Sequence, residues 1–168
     1  MIDKKYLLEL FRELVSIDSP SCGERMVCDC IKGRLLALGF LPQEDNTAEK
    51  INGRCGNLYC YVEGTLNLPP LLFSAHMDTV EPSRGKQLVS NEDGTITSAG
   101  DTVLGADDCA GLAVILEALT ALRKSEQPHR PLELLFSAAE EPYCTGIRHF
   151  DFSQLRSREA YVFDVVQL

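Results

Sequence analysis

The chain has 168 residues, 45% hydrophobic and 24% charged, which is about one domain's worth of chain with enough apolar content for a real core. That composition excludes an intrinsically disordered chain. Asp and Glu outnumber Lys and Arg by 25 to 16, a net charge of −9, and this sign argues against a general nucleic-acid binder, whose affinity comes largely from neutralised phosphates.

The longest apolar stretch, Cys109 to Leu116, stops at Glu117, far short of the ~20 residues a membrane span needs. The first fifteen residues mix acids and bases among apolar positions, unlike the clean apolar block of a secretory signal. The expected compartment is therefore the cytoplasm. Seven cysteines (Cys22, Cys28, Cys30, Cys55, Cys60, Cys109 and Cys144) make an odd set with no C-x-x-C pair. They read as reduced thiols, several buried as small hydrophobes, rather than a disulfide scaffold or a Cys-only zinc site.

In chain order, residues 2–17 predict a helix, with Ile2, Tyr6, Leu7, Leu10, Phe11, Leu14 and Val15 at helical spacing and Ser19-Pro20 as its stop. A second helix is expected from about Gly23 to Leu38, ended by Gly39. Asn57 to Val62 alternates like a strand with one buried face, and Leu66 to Pro70 is a break. Leu71 to Ala75 is a continuous apolar run, the signature of a strand covered on both faces. Residues 83–101 are polar, with Asn91-Glu92-Asp93-Gly94 as a turn signal. Asp108 to Leu122 carries one apolar stripe and predicts a helix. Leu132–Ala138 and Tyr161–Phe163 read as further strands. Strands alternating with helices predict an α/β fold, a three-layer α/β/α sandwich on a mixed, mainly parallel sheet. The strands at 71–75 and 132–138 are expected to be central. In such sheets sites form beyond the carboxyl ends of the strands.

Those ends carry His76-Met77-Asp78, Glu140-Glu141 and Asp164, and Asp107-Asp108 opens the long helix. His76 and Asp78, two residues apart in extended chain, point to the same side. One imidazole nitrogen could then bind metal while a carboxylate takes the proton of the other. Glu140 and Glu141 face opposite ways in a continued strand, so both serve one site only if the chain turns, and Pro142 favours such a turn. Asp108 reads as a helix N-cap. Taken singly each motif is weak. Together, one histidine and several carboxylates at successive strand ends suit Zn²⁺, with Mn²⁺ or Co²⁺ conceivable. Two metals about 3.5–4 Å apart can share a carboxylate and a water, and a carboxylate that binds no metal can act as general base.

The segments Ser74-Ala75-His76-Met77-Asp78-Thr79-Val80, Leu104-Gly105-Ala106-Asp107-Asp108-Cys109-Ala110-Gly111 and Ala139-Glu140-Glu141 closely resemble the co-catalytic zinc exopeptidases. That family includes peptidase T, carboxypeptidase G and acetylornithine deacetylase, and the Leu-Gly-Ala-Asp-Asp string is most similar to the peptidase T-like branch. The resemblance implies His76 as a ligand of one zinc and Asp78 as the acid that orients it. It implies Asp107 as the carboxylate bridging two zincs, often followed by a cis peptide. Glu140 is implied as general base, Glu141 as a ligand of the other zinc, and Asp164 as the carboxylate completing the His76 site. It further implies a hydrolase cleaving short peptides near the N-terminus, or alternatively an N-acyl amino acid deacylase, assembled as a homo-oligomer and without nucleic-acid or membrane partners.

The sequence also departs from that family. Cys109 stands where the family often has Lys, and Pro142-Tyr143 replaces the usual continuation of the Glu pair. Four residues, Val165 to Leu168, follow Asp164, where the family continues into a lid or dimerisation domain and a final zinc-binding histidine. His129 and His149 read as surface residues and do not replace that histidine. Residues 1–168 are thus expected to be the N-terminal part of a zinc-peptidase catalytic domain. By itself this part is expected to be a weak hydrolase, or a metal-binding fragment without turnover.

Overall fold

A computed structural model describes residues 1–164; the tail at 165–168 lies outside the described residues. The elements in order are α1 (Lys4–Val15), α2 (Arg25–Ala37), β1 (Gln43–Glu44), α3 (Thr47–Ile51), β2 (Leu58–Val62), β3 (Leu71–His76), β4 (Leu88–Ser90), β5 (Ile96–Ser98), α4 (Ala106–Ser125), β6 (Leu132–Ser137) and β7 (Ala160–Val162). Two single 3₁₀ turns, Ile147–His149 and Phe152–Gln154, fall between β6 and β7.

Local chemistry explains the helix bounds. Asp3 caps α1, its carboxylate accepting the Lys5 and Tyr6 amides. Gly39, at φ +82°, follows the end of α2 in the left-handed conformation that glycine adopts without a Cβ penalty. Leu10, Leu14 and Val15 of α1, Val27, Ile31 and Leu35 of α2, and Leu112, Ile115, Leu116 and Leu119 of α4 are buried in one core. Each such side chain contributes roughly 1.5–3 kcal/mol by leaving water.

The main sheet runs β1-β2-β6-β3-β7. β1–β2 and β2–β6 are antiparallel, and β6–β3 and β3–β7 are parallel, so the sheet is mixed with its pairings evenly divided. β6 and β3 are interior, as their apolar runs predict, and all six residues of β6 are buried. The two faces differ. Leu58, Cys60, Val62, Ala75, Leu134 and Phe136 pack on the face covered by α1, α2 and α4. Of the opposite layer the described residues supply the two 3₁₀ turns, and Leu72, Leu135 and Phe150 form a small second cluster there. Glu133, inside the apolar β6, faces that side. It is satisfied by the Tyr59 hydroxyl, the Arg156 and Ser157 amides and the Ser157 hydroxyl.

The hairpin β4–β5 stands where the sequence reads only polar chain. Its Asn91–Gly94 turn was legible: Asp93 accepts the Thr95 amide and hydroxyl, and Gly94 has φ +87°. Its three-residue strands, Leu-Val-Ser and Ile-Thr-Ser, are too short to show a period. Among the described residues no helix is long and apolar enough to cross a membrane.

Candidate functional site

The parallel strands β3 and β6 end side by side, His76 opposite Ser137. His76 is 3% exposed. Its backbone amide donates to Asp108 Oδ2 at 3.1 Å. Ring Nδ1 lies 2.8 Å from the Asp78 carbonyl and 3.4 Å from Asp78 Oδ1, and Nε2 lies 3.0 Å from Asp107 Oδ1. A carbonyl and a carboxylate both only accept, so in the metal-free chain Nδ1 donates to Asp78 and Nε2 donates to Asp107; loss of the Nε2 proton leaves its lone pair facing Asp107. Burial pushes the ring's pKa down, but the carboxylates of Asp78, Asp107 and Asp108 outweigh it and raise the pKa to about 10. Carboxylates thus flank both ring nitrogens and favour a positive charge there.

Asp78, fully buried, does more than face the ring. Its carboxylate accepts the Ser21 hydroxyl at 2.6 Å, the Glu140 amide at 2.8 Å and the Glu141 amide at 3.2 Å. Burial opposes its charge, yet His76, Ser21 and the Glu140 amide hold its pKa below the usual carboxylate range.

The start of α4 divides the work of its two acids. Asp107 and Asp108 have non-helical backbone angles, and the peptide between them is cis. Asp108, 3% exposed, turns inward. It accepts His76 N–H on one oxygen and Gly111 N–H at 3.0 Å on the other, which makes it the N-cap of the helix proper. A Cβ on Gly111 would meet Asp108 Oδ1 at 2.3 Å, so only glycine fits. Burial raises the Asp108 carboxyl to about 7, against the pull of His76. Asp107 turns outward, its side chain 42% exposed.

The Glu pair follows a bend that comes earlier than Pro142. β6 stops at Ser137, and Ala139 takes a left-handed φ of +47°. This brings Glu141 back toward β3. One donor atom each from His76, Asp107 and Glu141 lies within 4.8 Å of the others. Burial raises the Glu141 carboxyl; His76 opposes this, and Asp107, Asp78 and Glu140 add to it. Bonds of about 2.0–2.2 Å place the donors of one tetrahedral ion roughly 3.5 Å apart. Small side-chain rotations would therefore close this mixed nitrogen–oxygen set on a divalent metal.

Glu140 is not part of that cluster; its Oε1 accepts the Cys144 thiol at 3.1 Å. Asp164, exposed at the end of the edge strand β7, is also outside it. His129 sits at the opposite end of β6, its amide bonded to Thr65, and His149 is exposed on a 3₁₀ turn. Sequence reasoning missed Glu24 and Asn57, both fully buried, which accept the Ala139 and Ala138 amides at 2.9 and 3.1 Å. Glu24 precedes α2, where an acid reads as an ordinary helix-start residue.

Comparison with known proteins identifies relatives of this chain. Residues 57–165 match the profile of Peptidase family M28. The chain is 37% identical over 164 residues to the uncharacterized protein YqjE of Bacillus subtilis, covering 98% of this chain and 44% of that protein. It is 30% identical to peptidase T of Escherichia coli, covering 94% of this chain and 47% of that one. Among solved structures, a tripeptidase from Staphylococcus aureus superposes with TM-score 0.95 at 34% identity, over 99% of this chain and 45% of that one. Aminopeptidase PepT from Bacillus cereus gives 0.93 at 33% identity, over 98% and 44%. The chain thus spans about half the length of the relatives it matches. A matched segment of well over half the chain, ending the sheet on this acid-rich cluster, places the protein in Peptidase family M28.

Proposed function

We infer that the protein is a metal-dependent hydrolase of amide bonds in short peptides, with this chain as the N-terminal part of its catalytic domain. The observation that carries the reading is the convergence of His76 Nε2, Asp107 and Glu141 within 4.8 Å at the carboxyl ends of parallel strands. His76, Asp107 and Glu141 would hold a divalent metal, Zn²⁺ by its donor set; in this reading Glu141 joins the His76 ion, where the resemblance alone implies the other one. A metal held there would supply a more acidic water and polarisation of the scissile carbonyl.

The remaining steps belong to the chain's own groups. Asp78 fixes the His76 ring, keeping Nδ1 occupied and Nε2 turned to the metal. Asp107, with its side chain part-exposed, would be the carboxylate shared with a second ion. Glu140, beside the cluster but outside it, takes a proton from the attacking water and returns it to the departing amine. Asp164 is proposed as a further ligand of the His76 ion; its place at the end of β7, next to β3, puts it at the same end of the sheet. The tripeptidase and aminopeptidase relatives favour a peptide over an N-acyl amino acid. Seven free cysteines suit a reducing compartment, the cytoplasm.

The test is hydrolysis of tripeptides and of N-acyl amino acids by the purified chain, with and without added Zn²⁺. Weak zinc-dependent release of an N-terminal residue is expected of this chain, and in a full-length version Glu140→Gln should lower the rate 10²–10⁴-fold with zinc retained. Preference for N-acyl amino acids would move the reading to a deacylase. Tight zinc without turnover on either class would make this chain a metal-binding fragment.

A further inference from the structure

Beyond Ser137 the chain leaves the sheet, and the amides of residues 138–141 lose their strand partners. Each of these four consecutive N–H groups finds a side-chain oxygen instead. Ala138 donates to Asn57 Oδ1 at 3.1 Å, Ala139 to Glu24 Oε1 at 2.9 Å, Glu140 to Asp78 Oδ1 at 2.8 Å and Glu141 to Asp78 Oδ2 at 3.2 Å. All three acceptor residues are fully buried. The Asp78 part of this cradle lies within the site already described. Glu24 does not, and its geometry is unusual. It stands at the N-cap of α2 yet makes no side-chain cap bond to that helix. Its carboxylate reaches instead across the chain to Ala139, while the same oxygen accepts the Cys22 amide at 2.7 Å.

Ala139 is the residue that needs holding. Its left-handed φ disfavours any residue with a Cβ and persists only where the surroundings over-determine it. A carboxyl oxygen that accepts an amide restrains it, and a buried amide without a partner is costly. From this juxtaposition we propose that Glu24 is a positioning residue. It clamps the Ala139 amide and so fixes the turn that aims Glu141 at His76 and Asp107 and leaves Glu140 beside them. The proposal rests on the metal-centre reading above.

The test is Zn²⁺ calorimetry on the 168-residue chain, with amide hydrogen exchange at Ala139 as a readout that needs no metal. Glu24→Gln keeps the accepting oxygen and should bind Zn²⁺ within about threefold of wild type. Glu24→Leu should weaken binding 10–100-fold, the size seen when partners of metal ligands are removed, and should speed Ala139 exchange. Leu119→Ala, in the core away from the site, should lower stability but leave zinc affinity unchanged. If Glu24→Leu does not fold, Glu24→Asp, which keeps the charge and withdraws the oxygen by one methylene, should show the same weakening. Unchanged zinc affinity in both Leu and Asp variants overturns the proposal, as does equal weakening by Leu119→Ala. A wild type that binds no Zn²⁺ but protects Ala139 defeats the metal reading and leaves the Glu24 clamp standing; fast Ala139 exchange in wild type defeats the clamp.

Discussion

The Asp107–Asp108 and Glu140–Glu141 pairs reach the same cluster by opposite means. In the first, a side chain does the framing: Asp108 is buried and holds both the His76 and Gly111 amides, which frees Asp107 to face the ring. In the second, the backbone is framed: among the described residues neither Glu side chain accepts a backbone amide, and the turn is held by carboxylates from elsewhere. An acid in such a pair is therefore either scaffold or chemistry, and burial tells which. Asp108 is 3% exposed and both glutamates are part-exposed.

The variant expected to cost most is Asp78→Ala, which breaks the second arrangement. It removes the buried acceptor of the Ser21 hydroxyl and the Glu140 and Glu141 amides, three part-buried bonds. A loss of about 3–5 kcal/mol in chemical denaturation is expected, since each stranded donor costs about 1–3 kcal/mol. Next comes the contrast within the first pair. Asp108→Ala should cost about 2–3 kcal/mol through a lost helix cap and an unpaired His76 amide. Asp107→Ala, at a part-exposed side chain, should cost no more than about 0.5 kcal/mol while abolishing tight zinc binding. Equal costs would erase the distinction between scaffold and ligand.

Within the second pair the split should appear in metal and not in stability. Glu141→Gln should weaken Zn²⁺ about 10–100-fold or more by calorimetry, and Glu140→Gln should leave it alone. The reverse pattern would exchange their roles. A smaller effect is the pH dependence. With the His76 ring raised to about 10, zinc must displace a proton across the neutral range. Apparent affinity should thus climb up to about tenfold per pH unit toward 10, with proton release visible when buffers of different ionisation enthalpy are compared. In the metal-free chain the same proton acts on stability. Below the ring's ordinary 6.5 its attraction to Asp78 and Asp107 is fully present, and it is lost as pH rises through about 10. The least effect is expected from Cys144→Ala, whose thiol only touches Glu140 Oε1; stability should move by about 0.5 kcal/mol at most.

What the sequence made legible follows the strength of each local signal. The helices α1, α2 and α4 carry five or more apolar positions and the strands β3 and β6 four apolar residues in six, and these elements were readable to within a few residues. The β4–β5 hairpin, three residues a side, was not. His76, Asp78, Asp107 and the Glu pair stood out because they interrupt apolar runs at strand ends or open a helix. The contacts among them did not. A two-residue spacing suggests Asp78 beside the ring, but nothing local shows that its carboxylate spends itself on two amides over sixty residues away. Glu24 escaped for the same reason: its partner is 115 residues distant, and at a helix start an acid already has a sufficient local explanation. Asp164 shows the converse, since a resemblance can assign it a ligand's role while the described fold leaves it exposed at the sheet edge.

The central claim is that His76, Asp107 and Glu141 hold one divalent ion. Anomalous diffraction at the zinc edge from crystals of the zinc-loaded chain tests it most directly. The account predicts a peak about 2.0–2.2 Å from His76 Nε2 and from carboxylate oxygens of Asp107 and Glu141. A zinc peak elsewhere in a loaded crystal, or none near Nε2, would contradict it.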